Sequence, residues 1–136
     1  MELNIRPLLE ADYDNILLGW WKGWRWTAPP RDILPDNGKG GFIVYYGATP
    51  ICAGFAYVTN SKVGWVEWVV SNHKFRDKEI RKFAIEMLVT SLTATLRQSG
   101  YEYAYTIAKN ESLIKHYESI GYIVGSRKFT ELIKKL

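Results

Sequence analysis

The sequence predicts a mixed α/β (α+β) fold, in which a twisted sheet of six or seven strands carries helices on both faces. Apolar residues recur at every second position in some stretches and at every third or fourth position in others, which is typical of strands and helices respectively. The two kinds of stretch follow one another in the order β-α-β-β-β-α-β-α-β-β. A mixed sheet covered by helices is the architecture that buries all of these apolar faces. At 136 residues, we expect residues 1–136 to form one domain.

The first half of the chain predicts a strand, a helix and a hairpin. Residues 3–6 alternate as a short strand, and a helix begins at Asp12 and is stopped by Ala28-Pro29-Pro30, since proline cannot continue a helix. One apolar stripe runs along this helix: Tyr13, Ile16, Leu17, Trp20, Trp21 and Trp24. Strands over residues 42–46 and 51–58 are separated by only four residues, which predicts a hairpin.

The second half predicts a strand over 63–70, a long helix over about 77–98 and a strand over 101–107. We expect the two strands to be parallel and joined by a right-handed crossover. The helix has one apolar face, made of Ile80, Phe83, Ala84, Met87, Leu88, Ser91, Leu92 and Thr95. Asn110 predicts the start of a last helix that Gly121 ends, and residues 122–125 and 128–133 predict two final strands.

Composition excludes several classes of protein. A chain that is 47% hydrophobic will collapse, so it is not disordered. The single cysteine, Cys52, lies in an apolar run and is expected in the core, which excludes a disulfide framework and a cysteine metal site. His73 and His116 are expected at the surface, and no metal is predicted. Without a signal peptide or a membrane-spanning run, the sequence indicates a soluble cytoplasmic protein with no membrane partner.

Residues 110–122 read Asn-Glu-Ser-Leu-Ile-Lys-His-Tyr-Glu-Ser-Ile-Gly-Tyr. This stretch resembles a motif of the GCN5-related N-acetyltransferase (GNAT) family: Asn, a helix, Tyr, and then Gly followed by an aromatic residue. The order of elements along nearly the whole chain also resembles that family. The resemblance implies that Tyr117 is the general acid that protonates the departing CoA thiolate, and that Asn110 belongs to the cofactor-binding region. On spacing alone, Tyr117 could instead be a buried aromatic residue packed against the sheet.

The family's cofactor loop, Gln or Arg followed by two residues, Gly, one residue and Gly or Ala, is altered in this chain. Arg76 matches its first position, but Glu79 and Arg81 occupy the two glycine positions. We therefore expect the side chains of Arg76, Lys78 and Arg81 to bind the CoA pyrophosphate in place of bare main chain. The alternative is a solvated basic helix start. Small GNAT proteins with a Trp-rich first helix and such a loop look like those carried by phages.

Glu67 lies on the strand that enters this loop, where many GNAT enzymes carry their general base. A carboxyl beside Trp65 and Trp68 could have a raised pKa, which suits removing a proton from an ammonium group. Strand alternation predicts Glu67 on the face of Trp65 and Val69, opposite Trp68 and Val70. The alternative is an exposed strand residue or a structural ion pair. The resemblance also implies that main-chain groups at Val70 and Ser71 hold the acetyl carbonyl and the pantetheine arm.

Four of the six tryptophans lie within residues 20–26. In GNAT folds this region borders the acceptor cleft, so Trp24 and Trp26 are candidates for acceptor binding, although Trp20, Trp21 and Trp24 also fit a buried stripe. The resemblance implies an N-acetyltransferase that uses acetyl-CoA as cosubstrate and transfers its acetyl group by direct attack of a small-molecule or protein amine. A non-catalytic GNAT-fold binding protein and a GNAT-like protein that modifies nucleic-acid bases are the alternatives. The net charge of +4 suits a nucleic-acid partner, and the sequence leaves monomer and homodimer open.

Overall fold

The computed structural model of the protein describes residues 2–136. A five-stranded mixed sheet lies at its centre, with the strands in sequence order from one edge to the other. β1 to β4 are antiparallel neighbours and β4 and β5 are parallel, as predicted. The strands are β1 (Leu3–Pro7), β2 (Gly41–Tyr46), β3 (Thr49–Tyr57), β4 (Val63–Ser71) and β5 (Tyr103–Tyr105). The helices are α1 (Glu10–Asp12), α2 (Leu18–Gly23), α3 (Lys78–Gln98) and α4 (Glu111–Ser119).

The sheet has a hydrophobic core on each face, which confirms helices on both sides. One core joins α3 and Tyr117 of α4 to the sheet residues Val44, Cys52 and Val66. Cys52 is fully buried, as expected. The other core joins the first helical region to Ile43, Ala53, Phe55 and Val70. Its helical members are Tyr13, Leu17, Trp20 and Trp21, with Ile16 and Trp24 packed against them.

The first helix differs from the prediction in its form. It consists of α1, a π-helical stretch (Tyr13–Leu17) and α2, and it ends at Gly23 rather than just before the prolines. Arg25 has a φ of 61°, which turns the chain out of the helix. Only glycine fits at position 23, because a Cβ there would lie 2.3 Å from the ring of His73. The end of α2 is thereby packed closely on the loop that follows β4.

The buried face of α3 is rotated relative to the predicted face. Phe83 is 49% exposed, whereas Ile85, Val89 and Leu96 are buried. Ala84, Leu88 and Leu92 belong to both the predicted and the observed face. Helical residues three and four apart share a face, so a stripe through residues 85, 89, 92 and 96 fits the sheet as well as the predicted one does. The choice between the two stripes depends on the sheet and is decided by tertiary packing.

The predicted count of six or seven strands is wrong, because residues 122–125 and 128–133 form no strand. Tyr122 is anchored by a 2.6 Å hydrogen bond between its hydroxyl and that of Thr93. Beyond it, Ile123 is 94% exposed and Leu132 is 89% exposed. Alternating apolar residues form a strand only when a neighbouring strand satisfies their backbone groups, and no strand pairs with them among residues 2–136.

A β-bulge interrupts β4 at Trp68. Phe55 pairs with Glu67 and Ala53 pairs with Val70, so Trp68 and Val69 together lie opposite Gly54. Trp68 has a φ of 58°, in the left-handed region. The predicted alternation is therefore wrong beyond Glu67, because the extra residue turns Trp68 and Val70 to the same face as Glu67 and turns Val69 to the other.

Candidate active site

The parallel strands β4 and β5 separate beside Glu67. Their pairing ends where Trp65 meets Tyr105. Beyond that point the side chain of Glu67 takes over the contact, because its Oε1 accepts a 2.7 Å hydrogen bond from the main-chain N–H of Ile107. The carboxylate therefore lies just beyond the end of the β4–β5 pairing and is held by the segment that follows β5.

Tyr117 of α4 reaches the same place from the other side. Its side chain is buried, and its Oη accepts a 3.2 Å hydrogen bond from Oγ1 of Thr106. The ring of Tyr122 packs edge to face against it, with centroids 4.9 Å apart. Because the Tyr117 hydroxyl accepts this hydrogen bond, its own proton remains available to another acceptor. Thr106 and Ile107 are consecutive, so the end of β5 contacts both predicted catalytic groups.

The surroundings shift both groups toward protonation. Burial raises the pKa of Glu67 to about 7, although the hydrogen bond from the main-chain N–H of Ile107 lowers it in part. Burial also raises the pKa of Tyr117, and the nearby charge of Glu67 adds to that rise. At neutral pH, Tyr117 is thus a protonated phenol, and Glu67 exchanges a proton readily.

The C-terminal end of β4 is hydrogen-bonded to the residue that directly follows α2. The indole Nε1 of Trp24 donates a 2.7 Å hydrogen bond to the main-chain carbonyl of Ser71. The rings of Trp24 and Trp26 stack with centroids 5.7 Å apart, and Trp26 is 49% exposed. Val70 is buried just before Ser71. The two tryptophans proposed for acceptor binding are therefore brought against the strand end proposed for the cofactor, although the Ser71 carbonyl already has a partner.

Residues 72–81 form the loop and helix start that would meet a pyrophosphate, and we call them the anion loop. Its helix amides are already occupied, because Oδ1 of Asp77 accepts 3.1 Å hydrogen bonds from the N–H groups of Glu79 and Ile80. Arg81 folds back and donates to the carbonyl of Phe75. Arg76 and Lys78 are exposed.

Two buried nitrogens of the anion loop have no hydrogen-bond partner: Nδ1 of His73 and Nε of Arg81. Buried polar atoms in native proteins are nearly always paired, so these two nitrogens depart from the usual pattern. The exposed charges of Arg76 and Lys78 are the groups of the anion loop that suit a phosphate held by side chains. His73 is half-buried and not exposed as predicted, because its ring lies over Gly23.

Three further residues have structural roles in this arrangement. Asn110 caps α4 by accepting a 3.1 Å hydrogen bond from the N–H of Leu113 through its side-chain oxygen. His116 is also half-buried and lies 3.8 Å from Glu86. Arg6 forms a 2.7 Å ion pair with the buried Asp12, which fixes the start of the first helical region.

The structure brings two pairs of predicted site residues together. Glu67 and Tyr117 both contact the residues that directly follow β5, and Trp24 is hydrogen-bonded to Ser71. Sequence reasoning missed Thr106 and the N–H of Ile107, although the parallel pairing of the two predicted strands could have placed them beside Glu67. It also missed the cap at Asp77, for which an aspartate directly before a helix is a recognised signal.

Comparison with solved structures identifies the fold. Glucosamine-6-phosphate N-acetyltransferase from Arabidopsis thaliana superposes with a TM-score of 0.68 at 15% identity, over 98% of this chain and 100% of that one. AAC(6')-Iy, bound to the bisubstrate analogue CoA-S-monomethyl-acetylneamine, gives 0.66 at 17% identity, over 98% and 99%. The ribosomal-protein-S18-alanine N-acetyltransferase from Escherichia coli gives 0.65 at 14% identity, over 92% and 80%. No family model and no curated protein matches this sequence.

This protein has the GNAT fold, as the resemblance of residues 110–122 predicted. At these sequence identities the similarity extends to the fold and not to a particular reaction. Within residues 2–136, no cluster of three or more His, Cys, Asp or Glu side chains could hold a metal ion. Across the same residues, no helix combines the length and the apolar character needed to span a membrane.

Proposed function

We propose that this protein is an acyl-CoA-dependent N-acyltransferase that transfers an acetyl group to an amine. The observation that carries this proposal is that Glu67 and Tyr117 come together just beyond the end of the β4–β5 pairing, where the consecutive residues Ile107 and Thr106 hold them. A proton acceptor and a proton donor with raised pKa values, placed where the pairing of two parallel strands ends, suit transfer from a thioester to an amine. The neighbouring folds are acetyltransferases, which supports the same reaction class.

Glu67 is the proposed general base. An amine attacks a thioester only when its nitrogen lone pair is free, so the ammonium form must first lose a proton. A carboxylate whose pKa is about 7 accepts that proton at neutral pH far more readily than an ordinary surface glutamate does. The hydrogen bond from Ile107 holds Oε1 in place and leaves Oε2 to face the amine or an intervening water.

Tyr117 is the proposed general acid. The thiolate that departs in the transfer needs a proton, and a buried phenol with a raised pKa is protonated throughout the neutral range. Thr106 donates to Tyr117 Oη, so the phenolic proton is directed elsewhere. The thioester of acetyl-CoA supplies the activated acetyl group when it is bound.

The cosubstrate would be held mainly by side chains. Arg76 and Lys78 are exposed and can contact pyrophosphate oxygens, and the unpaired nitrogens of His73 and Arg81 lie in the same anion loop. Main-chain groups at Val70 and Ser71 remain proposed contacts for the acetyl and pantetheine parts, and Asn110 remains one for the cofactor. Trp24 and Trp26 remain proposed walls of the acceptor site.

The test is release of free CoA thiol from acetyl-CoA in the presence of a panel of primary amines. We expect amine-dependent thiol release, reduced about 100-fold or more in Glu67→Gln and in Tyr117→Phe. Glu102→Gln changes an exposed glutamate outside the anion loop and serves as the control for loss of a carboxylate. Equal rates in wild type and Tyr117→Phe would contradict the assigned acid.

A non-catalytic GNAT-fold binding protein is the second candidate, and the Asp77 cap favours it. The Asp77 carboxylate occupies helix amides that a phosphate would otherwise accept from, and its charge repels a phosphate. This candidate predicts ligand binding without thiol release from any amine of the panel. A thermal shift with CoA, measured beside the transfer assay, separates the two candidates.

A further inference from the structure

Three aromatic side chains form a row across the sheet near Glu67. Tyr57 of β3 pairs with Trp65 of β4, and Trp65 pairs with Tyr105 of β5. Residues paired in register lie side by side on the same face of a sheet. The rings of Trp65 and Tyr105 meet edge to face with centroids 5.3 Å apart. We call these three residues the aromatic row.

The aromatic row is ordered but incompletely covered. Tyr105 is 54% exposed, and Tyr57 and Trp65 are half-buried. The Tyr57 hydroxyl donates a 2.8 Å hydrogen bond to the carbonyl of Ile33, which fixes its ring. Solvent therefore reaches a surface of rigid aromatic groups that lose little entropy on binding a ligand.

Glu67 gives this surface a charge. It follows Trp65 by two residues on β4, ahead of the bulge, so both side chains lie on the same face about 6.6 Å apart along the strand. Aromatic faces attract cations, and a carboxylate attracts them more strongly. An organic cation with an apolar body complements both parts of the surface.

We propose that the aromatic row and Glu67 form the acceptor subsite, and that it binds primary ammonium ions joined by a short alkyl linker to an aromatic or flat apolar group. The ring of such an amine stacks on the aromatic row while the ammonium group reaches Glu67. A polyhydroxylated amine would need hydrogen-bonding partners that aromatic ring faces do not offer. The identity of this ligand as the acyl acceptor rests on the proposed function, but its binding does not.

The test is binding of phenethylamine to the full-length protein without acetyl-CoA, followed by tryptophan fluorescence and by NMR shifts of the Trp65 indole. Neutral 2-phenylethanol and aliphatic propylamine are the matched probes. We expect phenethylamine to bind at least tenfold more tightly than either, and Tyr105→Ala and Glu67→Gln each to weaken it fivefold or more. Tyr103→Ala removes an exposed tyrosine further along β5 and should leave affinity unchanged.

Several results would overturn the inference. These are equal binding of phenethylamine and 2-phenylethanol, no effect of Tyr105→Ala, or an equal effect of Tyr103→Ala. A dimer in light scattering that Tyr105→Ala converts to monomer would show that a second copy covers the aromatic row. Selective binding without acetyl transfer would refute only the proposed function, whereas transfer to polyhydroxylated amines with an unchanged KM in Tyr105→Ala would refute only this subsite.

Discussion

Replacing Glu67 with glutamine tests the burial of a carboxyl group between two separating strands. Burial raises the pKa of Glu67 from its ordinary 4.5 to about 7 in the folded protein. The Glu67 carboxyl group therefore stays protonated in the folded state over a pH range in which it has lost its proton in the unfolded state. Because the folded state binds this proton more tightly, protonation of Glu67 stabilises the folded state. This stabilisation is complete below about pH 4.5 and is lost as the pH rises through about 7.

The size of the effect follows from the same two values. At about 1.4 kcal/mol for each unit of pKa, the difference corresponds to about 3 kcal/mol. Glu67 remains partly solvated, and solvent screening reduces our expectation to about 2 kcal/mol. Tyr57 and Tyr117 are the other titratable groups that interact with Glu67, and burial raises the pKa of both, so neither ionises in this range.

The assay is urea unfolding of wild type and Glu67→Gln at a series of pH values from about 5 to about 8. We expect the free energy of unfolding of wild type, relative to the variant, to fall by about 2 kcal/mol across the series. Glutamine can still accept the hydrogen bond from Ile107, so the variant should fold. Burial lowers the pKa of His116, and its titration affects both proteins and cancels in the difference. A constant difference across the series would refute the raised pKa.

Four further predictions test other parts of the structure. Gly41→Ala should lower the free energy of unfolding by about 3 kcal/mol or more in urea, because its Cβ would lie 1.9 Å from the carbonyl oxygen of Gly54. Gly19→Ala, with open space around it, should raise that free energy by about 0.5–1 kcal/mol. Thr106→Val should lower kcat about tenfold, because Tyr117 Oη loses the hydrogen bond that directs its own proton elsewhere, with Thr106→Ser retaining the wild-type kcat; equal kcat values for the two variants would contradict this role. Asp77→Asn should tighten CoA binding in calorimetry about two- to fivefold while leaving Tm nearly unchanged, since asparagine also caps helices; an unchanged Kd would argue against a phosphate near the cap.

Local sequence patterns predicted those features that depend on local physics. The cap at Asn110, the stripe from Tyr13 to Trp24 and the parallel pairing of β4 with β5 follow from capping, helical periodicity and crossover geometry, which act within a few turns or one supersecondary unit. The convergence of Glu67 with Tyr117 followed only through the family resemblance, since the two lie fifty residues apart in sequence.

Features that depend on how distant segments meet could not be read from the chain. The bulge at Trp68 places a bulky residue at positive φ, which no propensity favours, and it reversed the predicted faces of the residues after Glu67. Thr106 directly follows β5 and becomes significant only because α4 brings Tyr117 beside it. Residues 128–133 alternate as well as a real strand does, but alternation does not supply a partner strand.

The measurement that tests the central claim most directly is calorimetric titration of this protein with CoA at two salt concentrations. The proposed site predicts one CoA bound per chain, competition by acetyl-CoA, and affinity that falls with salt and in the Arg76→Ala/Lys78→Ala double variant. Absence of any heat at either salt concentration, together with an unchanged Tm in the presence of CoA, would contradict the claim that this GNAT fold binds a CoA thioester beside Glu67 and Tyr117.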